Sequence, residues 1–394
     1  MKKRFLALFL ALVLTCATTV PALSSEPEDA VNEVITKAEN ETPSPEEARE
    51  VLTRLGEKLA KVLAKFLPKD LQGSFPNPLQ SWIDLIPEPE TFDIDLTFAG
   101  DCMLASYKGQ VKAGSFSSKA LEHDWEYFLD GVDEYFEADD FTIVNLENVL
   151  TDKKLSEVAK DHNPAYWYKG PTENTNILTS QSVEIVNLSN NHTGDYGSTG
   201  TADTIQAVED AGLLWGNGQK TLYVEKNGFR IAFIFNGLWS EWQANGICDR
   251  IREAEEQSDF QVVYFHGGTE RIHAPEQWKQ RACRKIVDTG ADLVIGNHPH
   301  VLQPLEIYEG VPIIYSMGNF CYGGHTNPEN RTILYQYKLT VDRETNTLKA
   351  AVGNIVPCYV YTGRLNNYQP VPITDEKEKQ RVLDFMDWKL SSPL

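Results

Sequence analysis

From residue 92 onward the chain runs in short apolar segments, several of which close on a polar residue able to bind a metal. Phe92, Ile94, Leu96 and Phe98 alternate with polar neighbours and end at Gly100-Asp101. Phe141 to Leu146 ends at Glu147, and Val183 to Leu188 ends in Ser189-Asn190-Asn191-His192. Phe260 to Phe265 ends at His266, and Leu293 to Ile295 leads into His298-Pro299-His300. Helical stretches lie between several of these runs, clearest at Thr201 to Ala211 and Pro275 to Thr289, while Phe229 to Phe235 adds one more strand. Lys226-Asn227-Gly228 and Tyr308-Glu309-Gly310 have the chemistry of hairpin turns. Strands alternating with helices predict an α/β sheet, and in such sheets side chains far apart in sequence converge at the carboxyl ends of the strands.

The remaining chain frames that body. With 394 residues, 41% hydrophobic and 10% aromatic, the chain can bury a real core, which excludes wholesale disorder. Met1-Lys2-Lys3-Arg4, the apolar run Phe5 to Ala17 and Ala22-Leu23-Ser24 read as a cleaved secretion signal over 1–24, with a retained anchor as the alternative. The apolar run falls short of the roughly 20 residues a membrane span needs. Both readings make the protein extracytoplasmic, secreted or at the cell surface. Residues 25–91 read as an acidic spacer, an amphipathic helix and a Pro-rich linker. The helix starts at Ser44-Pro45-Glu46-Glu47 and carries Val51, Leu52, Leu55, Leu59, Val62, Leu63 and Phe66 on one stripe. Residues 92–360 form the main domain, and 361–394 a C-terminal extension packing on it. The formal charge of −21 argues against nucleic acid as a partner, and cleavage after residue 24 would remove three positive charges and leave −24. Beyond Cys16, the cysteines Cys102, Cys248, Cys283, Cys321 and Cys358 are scattered without a C-x-x-C pair; they read as buried small hydrophobes, with room for one or two bridges.

A lone strand-end Asp or His is more often a cap or a satisfied core residue. Five strand ends together point to a metal site. Asp101, Glu147, Asn191, His266, His298 and His300 offer carboxylate, amide and imidazole donors but no thiolate, which suits Mn²⁺ or Fe²⁺, with Zn²⁺ as the alternative. Two ions about 3.5–4 Å apart commonly activate water for displacement at phosphorus, and six ligands fill two shells if Glu147 bridges. Pro299 favours an extended backbone at His298, which would turn both flanking imidazoles to one side.

Several motifs match a known series in order: Gly100-Asp101, Asn145-Leu146-Glu147, Ser189-Asn190-Asn191-His192 with Asp195-Tyr196-Gly197, and His266-x-Gly268-x-Glu270. The longest runs from Gly290 through Asn297-His298-Pro299-His300 to Pro304, followed by Tyr315-Ser316-Met317-Gly318-Asn319-Phe320. Together, over residues 92–360, these resemble the bacterial CapA family, capsule or poly-γ-glutamate synthesis proteins similar to calcineurin-like metallophosphoesterases. The resemblance implies a calcineurin-like metallophosphoesterase α/β sandwich, here with an N-terminal helical extension. It makes Asp101 the first metal-binding Asp and Glu147 the bridging carboxylate. Asn191, His266 and His298 would hold one ion, and His300 the ion held by Asp101. His192 would be the catalytic residue that assists the leaving group while a metal-bound hydroxide attacks. Glu270 and Asp195 stand as residues orienting histidines or as surface carboxylates, Asn319 as a site contact or a turn amide, and Arg331 as a substrate-anion contact or a surface residue.

Departures from the pattern matter. Met103 stands where the phosphoesterase D-x-H signature has its His, Glu147 replaces an Asp, and Gly267 sits where Trp is usual. Two functions stay open. One is a metal-dependent hydrolase acting on an anionic envelope polymer or a phosphoester. The other is a non-catalytic surface scaffold in a capsule polymer synthesis and export assembly, partnered by membrane proteins of that assembly.

Overall fold

The computed structural model describes residues 90–394 continuously, together with Arg49, Thr53, Arg54, Gly56, Glu57, Asn77, Leu79 and Gln80. The expected signal over 1–24, the acidic spacer and most of the helix and linker over 45–89 lie outside the described residues. Arg49, Thr53, Arg54, Gly56 and Glu57 are helical. The chain divides into two compact units, Met1–Phe92 and Asp93–Leu394.

The second unit is built on strands whose order brings distant sequence together. They are β1 (Thr91–Met103), β2 (Ser106–Tyr107), β3 (Phe141–Leu146), β4 (Val149–Leu150), β5 (Tyr168–Gly170), β6 (Ile185–Asn187), β7 (Leu214–Gly216), β8 (Leu222–Lys226) and β9 (Phe229–Gly237). There follow β10 (Phe260–His266), β11 (Leu293–Asn297), β12 (Leu302–Tyr308), β13 (Val311–Met317), β14 (Asn319–Tyr322), β15 (Thr332–Asp342), β16 (Thr347–Tyr359) and β17 (Val371–Pro372). The first sheet has the order β17-β16-β15-β1-β3-β6-β7, with β14 also on β1; the second has the order β12-β13-β11-β10-β9-β8. A small third sheet joins β2, β5 and β4. β1, β3, β6 and β7 are parallel, as are β9, β10, β11 and β13.

Alternation along β1 buries Ile94, Leu96 and Phe98. The Phe98 ring lies 6.4 Å from Phe233 and 6.3 Å from Tyr264, across the gap between the two large sheets. Tyr264 satisfies its buried hydroxyl by donating to the Ala99 carbonyl at 2.8 Å. The fold is therefore an α/β sandwich with an aromatic seam. Helices cover its outer faces: α1 (Phe116–Glu122) and α2 (Gly197–Asp210) on the first sheet, α3 (Ala244–Glu255) and α4 (Gln277–Asp288) on the second. This double cover explains why β10 is buried along its whole length.

Local chemistry sets several boundaries. Asn227 and Gly228, and likewise Glu309 and Gly310, have positive φ, the pairing that a tight hairpin with matching twist requires. α2 begins a turn earlier than its apolar spacing suggests, after Gly197 at φ 68°. α5 (Glu376–Met386) is capped by the Asp375 carboxylate, which accepts from the Lys377 and Glu378 N–H groups, and it buries Val382, Phe385 and Met386. No helix among the described residues is long and apolar enough to cross a membrane. All five cysteines from Cys102 to Cys358 are buried free thiols, so the expected room for one or two bridges goes unused.

Candidate metal centre

The parallel strands of both sheets deliver their polar ends to one place. Asp101 arrives on β1, Glu147 just after β3, and Asn191 and His192 in the loop after β6. From the second sheet come His266 at the end of β10 and His298 and His300 just beyond β11. Donor atoms of Glu147, His266 and His298 lie within 4.8 Å of one another, as do those of Asp101, Glu147 and His300. Glu270, expected either beside the histidines or on the surface, is exposed and forms a third such group with His298 and His300.

The distances describe a compressed cluster. His266 Nε2 is 2.7 Å from Asn191 Oδ1, 3.1 Å from His298 Nδ1 and 3.4 Å from Glu147 Oε1. His300 Nδ1 is 3.2 Å from Asp101 Oδ2 and 3.0 Å from Asn319 Oδ1, while its Nε2 stands 3.8 Å from Glu147 Oε1. Both oxygens of Glu147 are buried without a hydrogen-bond partner. A buried carboxylate with no hydrogen-bond donor is costly, and a cation offsets that cost. The donor set and the orphaned Glu147 therefore fit a divalent ion.

Electrostatics point the same way. Burial works against a charged imidazole, yet Glu147 and Asp101 outweigh it and raise His266 and His300 to about 9. Burial also opposes charge on Asp101, but its hydrogen bonds and attraction to the two imidazoles hold it well below the usual carboxylate range. Burial and the two neighbouring imidazoles push His298 well below its ordinary value. Positive charge on the imidazoles and a divalent ion thus answer the same need of the buried site.

The backbone around the histidines departs from expectation. His298 has φ 99° and His300 φ 57°, so neither is extended. β11 ends at Asn297, and the chain curls so that the His298 N–H approaches Asp101 Oδ2 at 3.3 Å and Asn319 Nδ2 donates to the His300 carbonyl at 3.0 Å. The rings still converge, with centroids 5.7 Å apart, through this curl and not through strand alternation.

Beside the cluster, His192 is held by its neighbours. Its Nδ1 is 2.8 Å from Asp195 Oδ2, which also accepts the Tyr168 N–H at 2.8 Å. Lys160 Nζ lies 2.6 Å from Asp195 Oδ1. A buried carboxylate so engaged fixes the ring with its proton on Nδ1 and leaves Nε2 for other work. His192 and Asn191 both line a cavity of about 950 Å³.

Residues 95–323, more than half of the chain, match the family described as "Bacterial capsule synthesis protein PGA_cap". The chain belongs to this family. Among its relatives is the PGA biosynthesis protein CapA of Bacillus subtilis (strain 168), 29% identical over 310 residues, covering 73% of this chain and 78% of that protein. The capsule biosynthesis protein CapA of Bacillus anthracis is 28% identical over 320 residues, covering 74% and 72%. Among solved structures, a phosphatase from Mycoplasma pneumoniae is similar at 17% identity and a TM-score of 0.38, over 68% of this chain and 94% of that one.

This PGA_cap chain also uses residues that motif reading leaves unassigned. Asn145, two residues before Glu147, donates to Asp101 Oδ1 at 2.7 Å and sits 3.1 Å from His266 Nδ1, while accepting from Asn187 and Asn190. Trp239 sets its ring 4.7 Å from His298 and 5.9 Å from His266. Asn145 stands in the Asn145-Leu146-Glu147 motif and on the strand face shared with Glu147, but neither gives it a role; Trp239, in the loop after β9, carries no signal. Arg331, read as an anion contact or a surface residue, commits its guanidinium to Glu378 on α5 at 2.6 Å.

Proposed function

We propose that this protein is an extracytoplasmic metal-dependent hydrolase of capsule-polymer synthesis, cleaving a phosphoester or a polymer-linked bond. The observation that carries this reading is the buried Glu147, both oxygens without a hydrogen-bond partner, standing between two groups of donors, next to a histidine fixed by a carboxylate. Asn191, His266 and His298 with Glu147 would hold one ion; Asp101 and His300 with Glu147 would hold a second. An ion bound there supplies positive charge to the reacting oxygens and acidifies a water.

The chain's own residues do the rest. Asn145 and Asn319 orient His266 and His300 through the ring nitrogens they meet. Once Nε2 has taken up a proton, His192 would give it to the leaving oxygen as the water's OH bonds at the cleaved centre and its remaining proton passes to solvent, while Asp195, held by Lys160, keeps the ring oriented. The first donor group has four side chains, the second three, because Met103 is packed in an apolar cluster with Ala105, Tyr168, Tyr322, Val360 and Tyr361. The two ions should therefore bind with unequal affinity; the oxygen and nitrogen donors suit Mn²⁺, Fe²⁺ or Zn²⁺, and supply rather than affinity would place Mn²⁺ or Fe²⁺ there.

Met103 also favours a second reading, a surface scaffold that keeps its metal without turnover. Family membership and the basic, apolar N-terminus support an envelope location and membrane-bound synthesis or export proteins as partners. Turnover of bis(p-nitrophenyl) phosphate by the Mn²⁺-loaded protein, with an anomalous-scattering map of the same preparation, decides between them. Bound metal without turnover of this or any envelope phosphoester leaves the scaffold.

A further inference from the structure

Two cavities flank the metal centre. One, of about 950 Å³, reaches it at Asn191 and His192; the other, of about 250 Å³, reaches it at His300 and Asn319. Arg271 lines both. We propose that Arg271 holds an oxyanion of the substrate at this junction, and that the substrate is an anionic chain running from one cavity into the other past the reacting bond. This rests on the hydrolase reading and names its substrate class.

Cation bookkeeping singles the residue out. Lys160, the other Lys or Arg lining these cavities, is committed to Asp195 at 2.6 Å and to the Tyr166 carbonyl at 2.6 Å. Arg271 makes no side-chain hydrogen bond or ion pair among the described residues; its N–H donates to the Pro299 carbonyl at 2.7 Å. That bond ties its backbone to the loop carrying His298 and His300, while the exposed guanidinium has no partner of its own. Its backbone sits at φ 61°, a left-handed conformation that glycine adopts more readily. An arginine held in such a conformation, with no structural work for its side chain, points to a role in binding.

The electrostatic setting gives that role a reason. The chain carries −21, and Glu270, Asp161 and Glu329 stand along the same walls. A polyanion approaching this surface is repelled except where a cation is free to meet it. A guanidinium presents a planar fork matched to carboxylate or phosphate oxygens. A compact monoester would need only one cavity, whereas a chain needs an exit on each side of the centre.

The test is calorimetric binding to the Mn²⁺-loaded protein of two probes, a short γ-linked glutamate oligomer and an inorganic polyphosphate of matched length. Arg271→Gln should weaken the better probe about tenfold or more, the loss expected for a charged hydrogen bond. It should also flatten the dependence of log affinity on log salt by about one. Arg271→Lys should recover part of the loss, since charge remains but the fork does not. Arg271→Gly should bind as weakly as Arg271→Gln yet melt no lower than wild type, a combination that a merely structural arginine would not give. Which probe suffers separates carboxylate from phosphate chains. Failure of the wild type to bind either probe at millimolar concentration, or equal binding by wild type and Arg271→Gln, overturns the inference. Turnover of bis(p-nitrophenyl) phosphate by the same wild-type preparation keeps the two readings apart. An inert protein whose polyanion binding still depends on Arg271 overturns the hydrolase and leaves the anion holder. An active protein indifferent to Arg271→Gln does the reverse.

Discussion

Under the proposed function His192 would deliver the proton and Glu147 would hold metal, and each can be removed without the other. His192→Ala should cost about 10²–10⁴-fold in kcat, the usual range for a lost general acid, with bound metal unchanged. Unaltered turnover of the chromogenic diester would take His192 out of the mechanism. Glu147→Gln should instead lose metal, weakening affinity by at least about 100-fold, beyond the 10–100-fold typical of residues that only orient ligands. Elemental analysis after dialysis reads this directly, and full metal content in Glu147→Gln would exclude a bridging carboxylate. At this scale the sequence was informative where residue type and chemistry coincide: the H-x-x-D spacing of His192 and Asp195 survives as a 2.8 Å contact. It was silent where a contact spans distant loops. Nothing local to Arg331 announces Glu378, 47 positions later, and nothing local to Trp239 announces His298.

Among the elements, β1, β3, β6, β10 and β11 were the most legible, because each is a buried apolar run leading into a polar end. The curl at His298-Pro299-His300 was not legible. Its positive φ values are imposed by hydrogen bonds to Asp101 and Asn319, which belong to the other sheet. Packing between the sheets is where strand pattern becomes stability. Phe98 meets Phe233 and Tyr264 across the seam, so Phe98→Ala should cost about 3–5 kcal/mol, the range for a buried aromatic truncated to a methyl group. Urea titration checks this, and a loss below about 1 kcal/mol would mean that the seam closes around the deletion.

For the whole molecule, the proposed metal would compete with protons for one set of imidazoles. In the metal-free protein His266 and His300 keep their protons up to about 9, against an ordinary value of 6.5. Their attraction to Asp101 and Glu147 therefore stabilises the fold fully below pH 6.5 and is lost as pH rises through about 9. Burial also raises Asp139 and Glu184 to about 7, so their contribution is largely gone before the upper part of this window. With chelator present, Tm should fall between neutral pH and pH 9; a flat profile there would contradict the pairing. Metal binding has the opposite sign: affinity should rise with pH over the same range, releasing up to one proton per ion, as titrations in buffers of different ionisation enthalpy would show.

The ligands of the proposed centre are drawn from both sheets, carboxylates and amide from one, imidazoles from the other. A bound ion would thus act as a rivet through the open end of the sandwich, while the aromatic seam closes the layers farther down. Stripping the ion should loosen the molecule from one end. Hydrogen exchange should quicken at the carboxyl ends of β1, β3 and β10 and leave their amino ends protected. The protein would then report the metal supply of its surroundings through its resistance to proteases, whether or not it is turning over substrate.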